Sequence, residues 1–235
     1  GDRVLQAREG TGLGILRGAG GAGTPRALSG RDEPVPVNTP LVLTKTNARA
    51  TVHRPGYMDY IGILAFDENG QPVSEQRFLG LFTSSAYMRR PQDVPLIRRK
   101  FESITRRSGL RRDSHSGKAL RHILETLPRD ELFQGNEEEL YDTAIGVLAL
   151  QERGRTRLFV RGDRFGRFFS CLVYLPRDRF NTGVRERVEA LFKNAFHGER
   201  VDTTVLLSES PLARLHLLIR PKPGDKPAYS TIELE

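Results

Sequence analysis

Residues 53–87 read HRPGYMDYIGILAFDENGQPVSEQRFLGLFTSSAY, and the rest of the chain is organised around them. In Tyr57–Phe66 the apolar residues are dense, with Ile61, Ile63 and Ala65 alternating against Tyr60, Leu64 and Phe66. That period of two predicts a strand. Asp67-Glu68-Asn69-Gly70 follows; Asn and Gly tolerate the positive φ that closes a hairpin. Arg77–Thr83 returns with Phe78, Leu79, Leu81 and Phe82. Apolar groups on both faces predict a hairpin covered on both sides, or closed into a curved sheet.

Upstream, Val4-Leu5 and Ile15-Leu16 read as short strands around a glycine turn at Gly10, Gly12 and Gly14. Gly18–Pro36 has no apolar period and reads as a loop. Leu41–Thr44 reads as a strand that Ala50–His53 continues or pairs, so the first part of the chain is a mostly antiparallel sheet. Downstream come helices. Pro95, Ile97, Phe101 and Ile104 mark one, stopped at Ser108-Gly109. Ala119, Leu120, Ile123, Leu124 and Leu127 mark a second, ended by Pro128. Asn136 with Glu139 three residues on is a capping-box pair for a third, with Leu140, Ala144, Val147 and Leu148 as its stripe.

The C-terminal part reads as strands at 157–161 and 168–175, a helix at 182–196, and strands around Val201–Leu207 and Leu215–Ile219. On the last strand, His216, Leu218 and Arg220 lie opposite Leu215, Leu217 and Ile219. From Asn136 the order is αββαββ. A ferredoxin-like βαββαβ unit whose first strand is moved to the end has this order, with two helices on one face of a four-stranded sheet. The fold class is α+β, in three parts: a sheet domain at 1–90, a basic helical connector at 91–135 and a ferredoxin-like domain at 136–235.

The formal charge of +8 is local. Arg89–Arg112 holds nine basic residues against Asp93 and Glu102, which leaves 28 basic and 27 acidic residues elsewhere. The protein is near neutral, with one basic helix and its flanks. Arg98, Arg99, Arg106, Arg107, Arg111 and Arg112 are its candidate anion or subunit contacts. No aromatic interleaving or DNA-reading motif accompanies them, so a nucleic-acid partner is not expected. The longest apolar runs fall well short of the roughly 20 residues that span a bilayer, so no membrane role is expected. The chain opens GDRVLQA without Met and without a secretion signal, as an internal piece of a longer protein would. Cys171 is the single cysteine, set in an apolar strand. It reads as a buried small hydrophobe in a reducing, cytoplasmic setting.

Motifs of catalysis are weak. Gly18–Gly23, GAGGAG, matches G-x-G-x-x-G, but Pro25 denies the helix that a dinucleotide site needs. Gly117-Lys118 lacks the rest of a phosphate loop. Asp113-Ser114-His115 holds three triad residue types, but consecutive residues do not form a triad's line of hydrogen bonds, and the start of a helix explains them. His122 and Glu125 share a helical face, yet two ligands do not make a metal site. His197 suits a helix C-terminus. The residues therefore predict a binding or interaction module with no catalytic, cofactor or metal residue of its own.

Several long blocks are shared with a known family. They are HRPGYMDYIGI (53–63), RFLGLFTSSAY (77–87), PLIRRKFESITRRSG (95–109), DSHSGKALRHILETLPRDELFQ (113–134), RLFVRGDRFGRFFSCLVYLPRDRFNTGVRERV (157–188) and LSESPLARLHLLIR (207–220). Together they closely resemble the large NAD-specific glutamate dehydrogenases of bacteria, from about Gly12 to Arg220, with Gly18–Pro34 departing from the pattern. The resemblance implies a homo-oligomeric parent enzyme that converts L-glutamate and NAD to 2-oxoglutarate, ammonia and NADH in amino-acid catabolism. It places this chain in a regulatory region before the catalytic domain. Residues 1–87 would be PAS-like and 136–220 ACT-like. The family's catalytic lysine and dinucleotide-binding glycines belong to a segment not present here, so NAD is expected in the parent and not in this chain. The implied partners are the parent's own catalytic domain and neighbouring subunits, with a free amino acid as a candidate effector. ACT-like domains often bind amino acids beside the loop from first strand to first helix. The permuted order interrupts that loop.

Overall fold

The computed structural model describes residues 4–5, 8, 10–16, 26–27, 39–150, 154–222, 224–225 and 227–235. The Gly18–Gly23 motif and most of the surrounding loop lie outside them. The chain divides into two units, Gly1–Gly80 and Leu81–Glu235.

In the first unit, β1 (Val4–Leu5) pairs antiparallel with β2 (Arg26–Ala27). Residues 14–16, expected as strand, form a single 3-10 turn. A three-stranded antiparallel sheet follows, in the order β3 (Leu41–Ala50), β4 (Gly56–Phe66), β5 (Pro72–Gly80). The turn forms as read. Asp67 Oδ1 accepts from the amides of Asn69 and Gln71 at 2.9 and 2.8 Å, and Gly70 alone takes the positive φ, +72°. The return strand starts at Pro72, earlier than Arg77, because its first half, Pro-Val-Ser-Glu-Gln, is a largely polar edge. Covering on both sides does not hold along the hairpin. Val42, Tyr60 and Leu64 are buried on one face, whereas Ile63 and Phe78 on the other are 44% and 46% exposed.

The second unit opens with α1 (Ser84–Met88) and α2 (Pro95–Arg107). α2 has Pro95 in its first turn and buries Ile97, Phe101 and Ile104, the stripe its spacing predicts. α3 (His115–Thr126) is capped by Ser114, whose Oγ accepts from the Gly117 amide at 3.1 Å. Asp113-Ser114-His115 is thus a helix cap. A short α4 (Arg129–Gln134), not expected from sequence, precedes α5 (Glu137–Leu150). The capping box of α5 forms in full: the Glu139 amide donates to Asn136 Oδ1 at 2.9 Å, and the Asn136 amide to Glu139 Oε2 at 2.8 Å. No helix of the described residues is long and apolar enough to cross a membrane.

The sheet that follows has the order β6 (Arg157–Gly162), β7 (Phe169–Pro176), β9 (Leu212–Pro221), β8 (Gly198–Leu206), all antiparallel neighbours. α6 (Thr182–Ala195) crosses from β7 to β8, and β9 fills the gap between them. That is the strand order of a ferredoxin-like sheet with its first strand moved last. The chain's last element is a short α7 (Thr231–Leu234), which packs at β6.

The helices are placed differently from expectation. α6 lies on the face formed by Cys171, Val173, Leu175, Leu215, Leu217 and Ile219, against which Phe192 of the helix and Phe196 just past its end are packed. α5 lies on the other face. A Cβ at Gly146 would meet the Phe159 ring at 2.7 Å; Phe159 sits opposite Leu172 and packs edge-on to Tyr174. The reason is in β7, where Ser170 through Pro176 are all buried. A strand apolar on both sides needs two covers. α6 supplies one, and α3, α4 and α5 supply the other.

Candidate functional site at the helix–sheet seam

The face of the sheet toward α4 and α5 is not uniformly apolar. From β6 comes Arg161, from β7 Ser170 and from β9 His216, and α4 lays Glu131 onto all three. Arg161 Nε donates to Glu131 Oε2 at 2.9 Å and Arg161 Nη2 to Oε1 at 2.7 Å, a bidentate pair with side chains only 10% and 6% exposed. Nη2 also reaches Gln134 Oε1 at 3.2 Å. Ser170 Oγ donates to Glu131 Oε1 at 2.6 Å and lies 2.8 Å from His216 Nε2.

The electrostatics follow from burial against charge. Burial pushes the Glu131 carboxyl up. The Arg161 charge and its two hydrogen bonds, then His216 and Ser170, outweigh it and hold the pKa at about 2. Burial pushes His216 down, and the pull of Glu131 does not restore it. A neutral imidazole with its proton on Nε2 completes the chain: Nε2–H donates to Ser170 Oγ, and Ser170 O–H donates to the carboxylate.

Ser170, His216 and Glu131 are the residue types of a hydrolytic triad, in the wrong arrangement. A triad has its acid on His Nδ1 and its hydroxyl on Nε2. Here Glu131 binds the hydroxyl directly and stands 3.8 Å from the same Nε2. All three side chains are buried, so no substrate carbonyl reaches the oxygen. The arrangement binds α4 to three strands at once. Cys171 is buried behind it, and burial pushes its thiol up.

Lys100 extends this framework. Its ammonium donates to the carbonyls of Leu132, Phe133 and Gly135 at 2.9, 2.9 and 2.7 Å, closing the C-terminus of α4. Burial first, and then the Arg161 charge, pull its pKa down to about 8. Lys100 is therefore not part of the exposed basic face. All six arginines singled out from sequence are exposed. Arg107 pairs with Glu138 at 2.5 and 2.7 Å and lies 4.0 Å over the Tyr141 ring. Arg111 pairs with Asp113 at 2.9 Å. Among the described residues, Arg98, Arg99, Arg106 and Arg112 have no ion-pair partner. Glu125 accepts from Gln92 at 2.7 Å. No group of three His, Cys, Asp or Glu side chains among the described residues is placed to hold a metal ion.

Beside the Glu131–Arg161 pair, between α5 and β6, is a cavity of about 250 Å³. Leu140, Phe159 and Leu172 form its apolar wall, and Arg161, Glu139 and Asp142 its polar border.

Sequence reasoning identified the two faces of β9, with His216 opposite Leu215 and Leu217. It missed α4, and with it Glu131 and the role of Lys100. One signal was present: polar residues at the alternate positions of an otherwise apolar inner strand require buried partners.

Residues 94–153 match the family model described as glutamate dehydrogenase, helical motif 1, and residues 157–235 match that of the glutamate dehydrogenase ACT2 domain. The chain is 43% identical to the NAD-specific glutamate dehydrogenase of Halomonas elongata over 202 residues, covering 86% of this chain and 12% of that protein. The Pseudomonas aeruginosa protein of the same description is 39% identical over 195 residues, 83% of this chain and 12% of that one. This chain belongs to the NAD-specific glutamate dehydrogenase family. The relative from Mycobacterium tuberculosis, 32% identical over 219 residues, covers 93% of this chain and 13% of its own length. The chain thus spans about an eighth of the glutamate dehydrogenases it matches. The two matched stretches meet between α5 and β6, where the two covers of the sheet part company. The seam described above is the contact between the helical motif and the ACT2 sheet.

Proposed function

We propose that this chain is a regulatory and oligomerisation segment of a large NAD-specific glutamate dehydrogenase, inactive by itself. The parent would convert L-glutamate and NAD to 2-oxoglutarate, ammonia and NADH in the cytoplasm. NAD would bind elsewhere in the parent. In this reading residues 1–90 are a PAS-like sheet, the helices from residue 91 onward are the connector, and the C-terminal sheet is the ACT-like part. The observation that carries the proposal is the seam. A bidentate buried ion pair with every visible carboxylate and hydroxyl partner satisfied makes the helical motif and the ACT2 sheet move as one body. A contact or ligand on one is therefore felt by the other. The Ser170–His216–Glu131 arrangement supports a binding role over a catalytic one.

The test is kinetic. In the full-length enzyme, Arg161→Met loosens the seam and alters cooperativity or oligomer size, with the NAD binding constant unchanged. The isolated chain forms no NADH from glutamate. Glutamate-dependent NADH formation by the chain alone, or unaltered cooperativity and assembly in the variant, counts against the proposal.

A second reading has its own observation. Arg98, Arg99 and Arg106 project from α2 without partners among the described residues, a surface suited to an acidic face of a neighbouring subunit. Charge reversal at Arg106 and Arg107 then reduces oligomer size in sedimentation. An unchanged size argues against it.

A further inference from the structure

We infer that a second, smaller cavity, where α3 meets the β8–β9 end of the sheet, binds one small monovalent inorganic anion, chloride in ordinary salt, held by Arg214. The inference goes beyond the regulatory reading and does not depend on it. Arg214 is the starting point. It lies on the face of β9 toward the helices, opposite Tyr174 of β7, and is half-buried. Its Nη1 donates to the Thr126 carbonyl at the end of α3, and the guanidinium also hydrogen-bonds the Tyr174 hydroxyl. Its Nε is buried and has no acceptor among the described residues. Both partners are neutral. Burial pushes the Tyr174 hydroxyl up, and the Arg214 charge and hydrogen bond do not bring it back. No carboxylate of the described residues pairs with Arg214. Glu131 brings its own cation to the seam, whereas Arg214 brings no anion, and a charge held out of water without a counter-charge is costly.

The cavity beside Arg214 supplies what an anion needs. Its polar lining is His122, Thr126, Tyr174, Ser208, Ser210 and Arg214; the rest is aliphatic, and no Asp or Glu takes part. Ser208 Oγ accepts from the Ser210 amide at 3.3 Å, and Ser210 Oγ accepts from the Leu212 amide at 3.2 Å. Each hydroxyl oxygen is thereby fixed, and each keeps a proton with no acceptor among the described residues. The guanidinium of Arg177 donates to the Ser208 carbonyl and holds this loop in place. Two hydroxyl protons and the Arg214 Nε–H thus meet in a space without a negative charge. A metal cation is repelled by Arg214 and finds no carboxylate. The volume, about 30 Å³, is on the scale of one water-sized guest, far below the roughly 300–1,000 Å³ of sites for organic ligands. A single-atom anion fits that space, and unlike water it neutralises the guanidinium.

The position gives the site a consequence. Its walls come from α3 and α5 of the helical motif and from β7, β8 and β9 of the ACT2 sheet. An anion there binds the docked arrangement and not a separated one, so occupancy stabilises the docking of the helices.

The experiment is thermal unfolding of the 235-residue chain in sodium chloride, sodium bromide and sodium gluconate at equal ionic strength; gluconate is too large for the cavity. With halide at about five times its dissociation constant, the midpoint is expected to lie about 2–4 °C above that in gluconate and to level off as halide is raised. Arg214→Gln removes the charge, keeps an amide donor for the Thr126 carbonyl, and abolishes the difference. Ser210→Ala, a milder change that does not touch the guanidinium, raises the halide concentration at half-effect at least about threefold and decides the matter if Arg214→Gln does not fold. In crystals grown with bromide, an anomalous peak is expected within hydrogen-bond distance of Arg214 Nε. Equal midpoints in halide and gluconate, a difference that Arg214→Gln or Ser210→Ala keeps in full, or no bromide at Arg214 overturns the inference. Oligomer size of the parent enzyme, measured separately, tests the assembly reading and is independent of this outcome.

Discussion

The two faces of the C-terminal sheet are held by different physics. Toward α6 the interface is dry: Cys171, Val173, Leu215, Leu217 and Ile219 meet Phe192 and Phe196, each under 5% exposed. Toward α4 and α5 the same strands carry Ser170 and His216, joined by Arg161 of β6, and Glu131 binds all three. Apolar burial is non-directional and tolerates sliding. A bidentate pair has one geometry, and one partner lost leaves a charge buried. The dry face thus gives cohesion, while the polar face fixes which helix lies on which strands. Replacing such an ion pair with packed apolar residues is often neutral, so its contribution here is register more than stability.

The largest effect that would break this contrast is Arg161→Met, which strands the Glu131 carboxylate. A loss of about 3–5 kcal/mol in urea unfolding is expected. The double variant Glu131→Leu/Arg161→Met should recover most of it. A double variant as unstable as the single one would show that the pair itself is strongly stabilising.

Acid comes next. The folded pKa of Glu131, about 2, lies below its ordinary 4.5. The stability from that shift is fully present above about pH 4.5 and is lost as pH falls toward 2, about 3 kcal/mol in all. His216 is also depressed when folded, so unfolded chains take up its proton first and a further loss begins below about pH 6.5. Unfolding followed from pH 7 to pH 3 should show both, and Glu131→Leu/Arg161→Met should lose the lower one. A pH profile shared by wild type and double variant would remove Glu131 from the account.

Gly146→Val should cost about 1–3 kcal/mol, because its Cβ would meet the Phe159 ring at 2.7 Å and lift α5 from the sheet. Packing against α6 should be unaffected, which near-ultraviolet spectra of the Tyr174 and Tyr229 environments can separate. Smallest of all, Arg98→Ala and Arg106→Ala should change the stability of the chain by no more than about 0.5 kcal/mol, since neither has a partner among the described residues.

Much of this was legible in the chain. Asp67–Gly70 gave its turn, Asn136 and Glu139 their capping box, and Ile97, Phe101 and Ile104 the inner stripe of α2. Strand order followed from element order once a permuted ferredoxin-like layer was considered. The helix faces did not. Periodicity reports that β7 is apolar on both sides, but not which helix covers which side. The site was less legible still. Glu131 sits on a six-residue helix too short for a periodic signal, and its partners lie 30, 39 and 85 residues away in sequence. Lys100 reads in sequence as one more charge of a basic run, whereas in the fold its ammonium sits on the carbonyls that end α4.

The most direct test of the seam is amide hydrogen exchange on the wild-type chain and Arg161→Met, read as peptides from 115–150 and from 182–206. The account predicts that the variant loses protection in the helical peptides by at least tenfold more than in α6 and β8, as undocking of one cover requires. Equal loss in both regions, or none in either, would contradict a polar seam that fixes the helical motif on the ACT2 sheet.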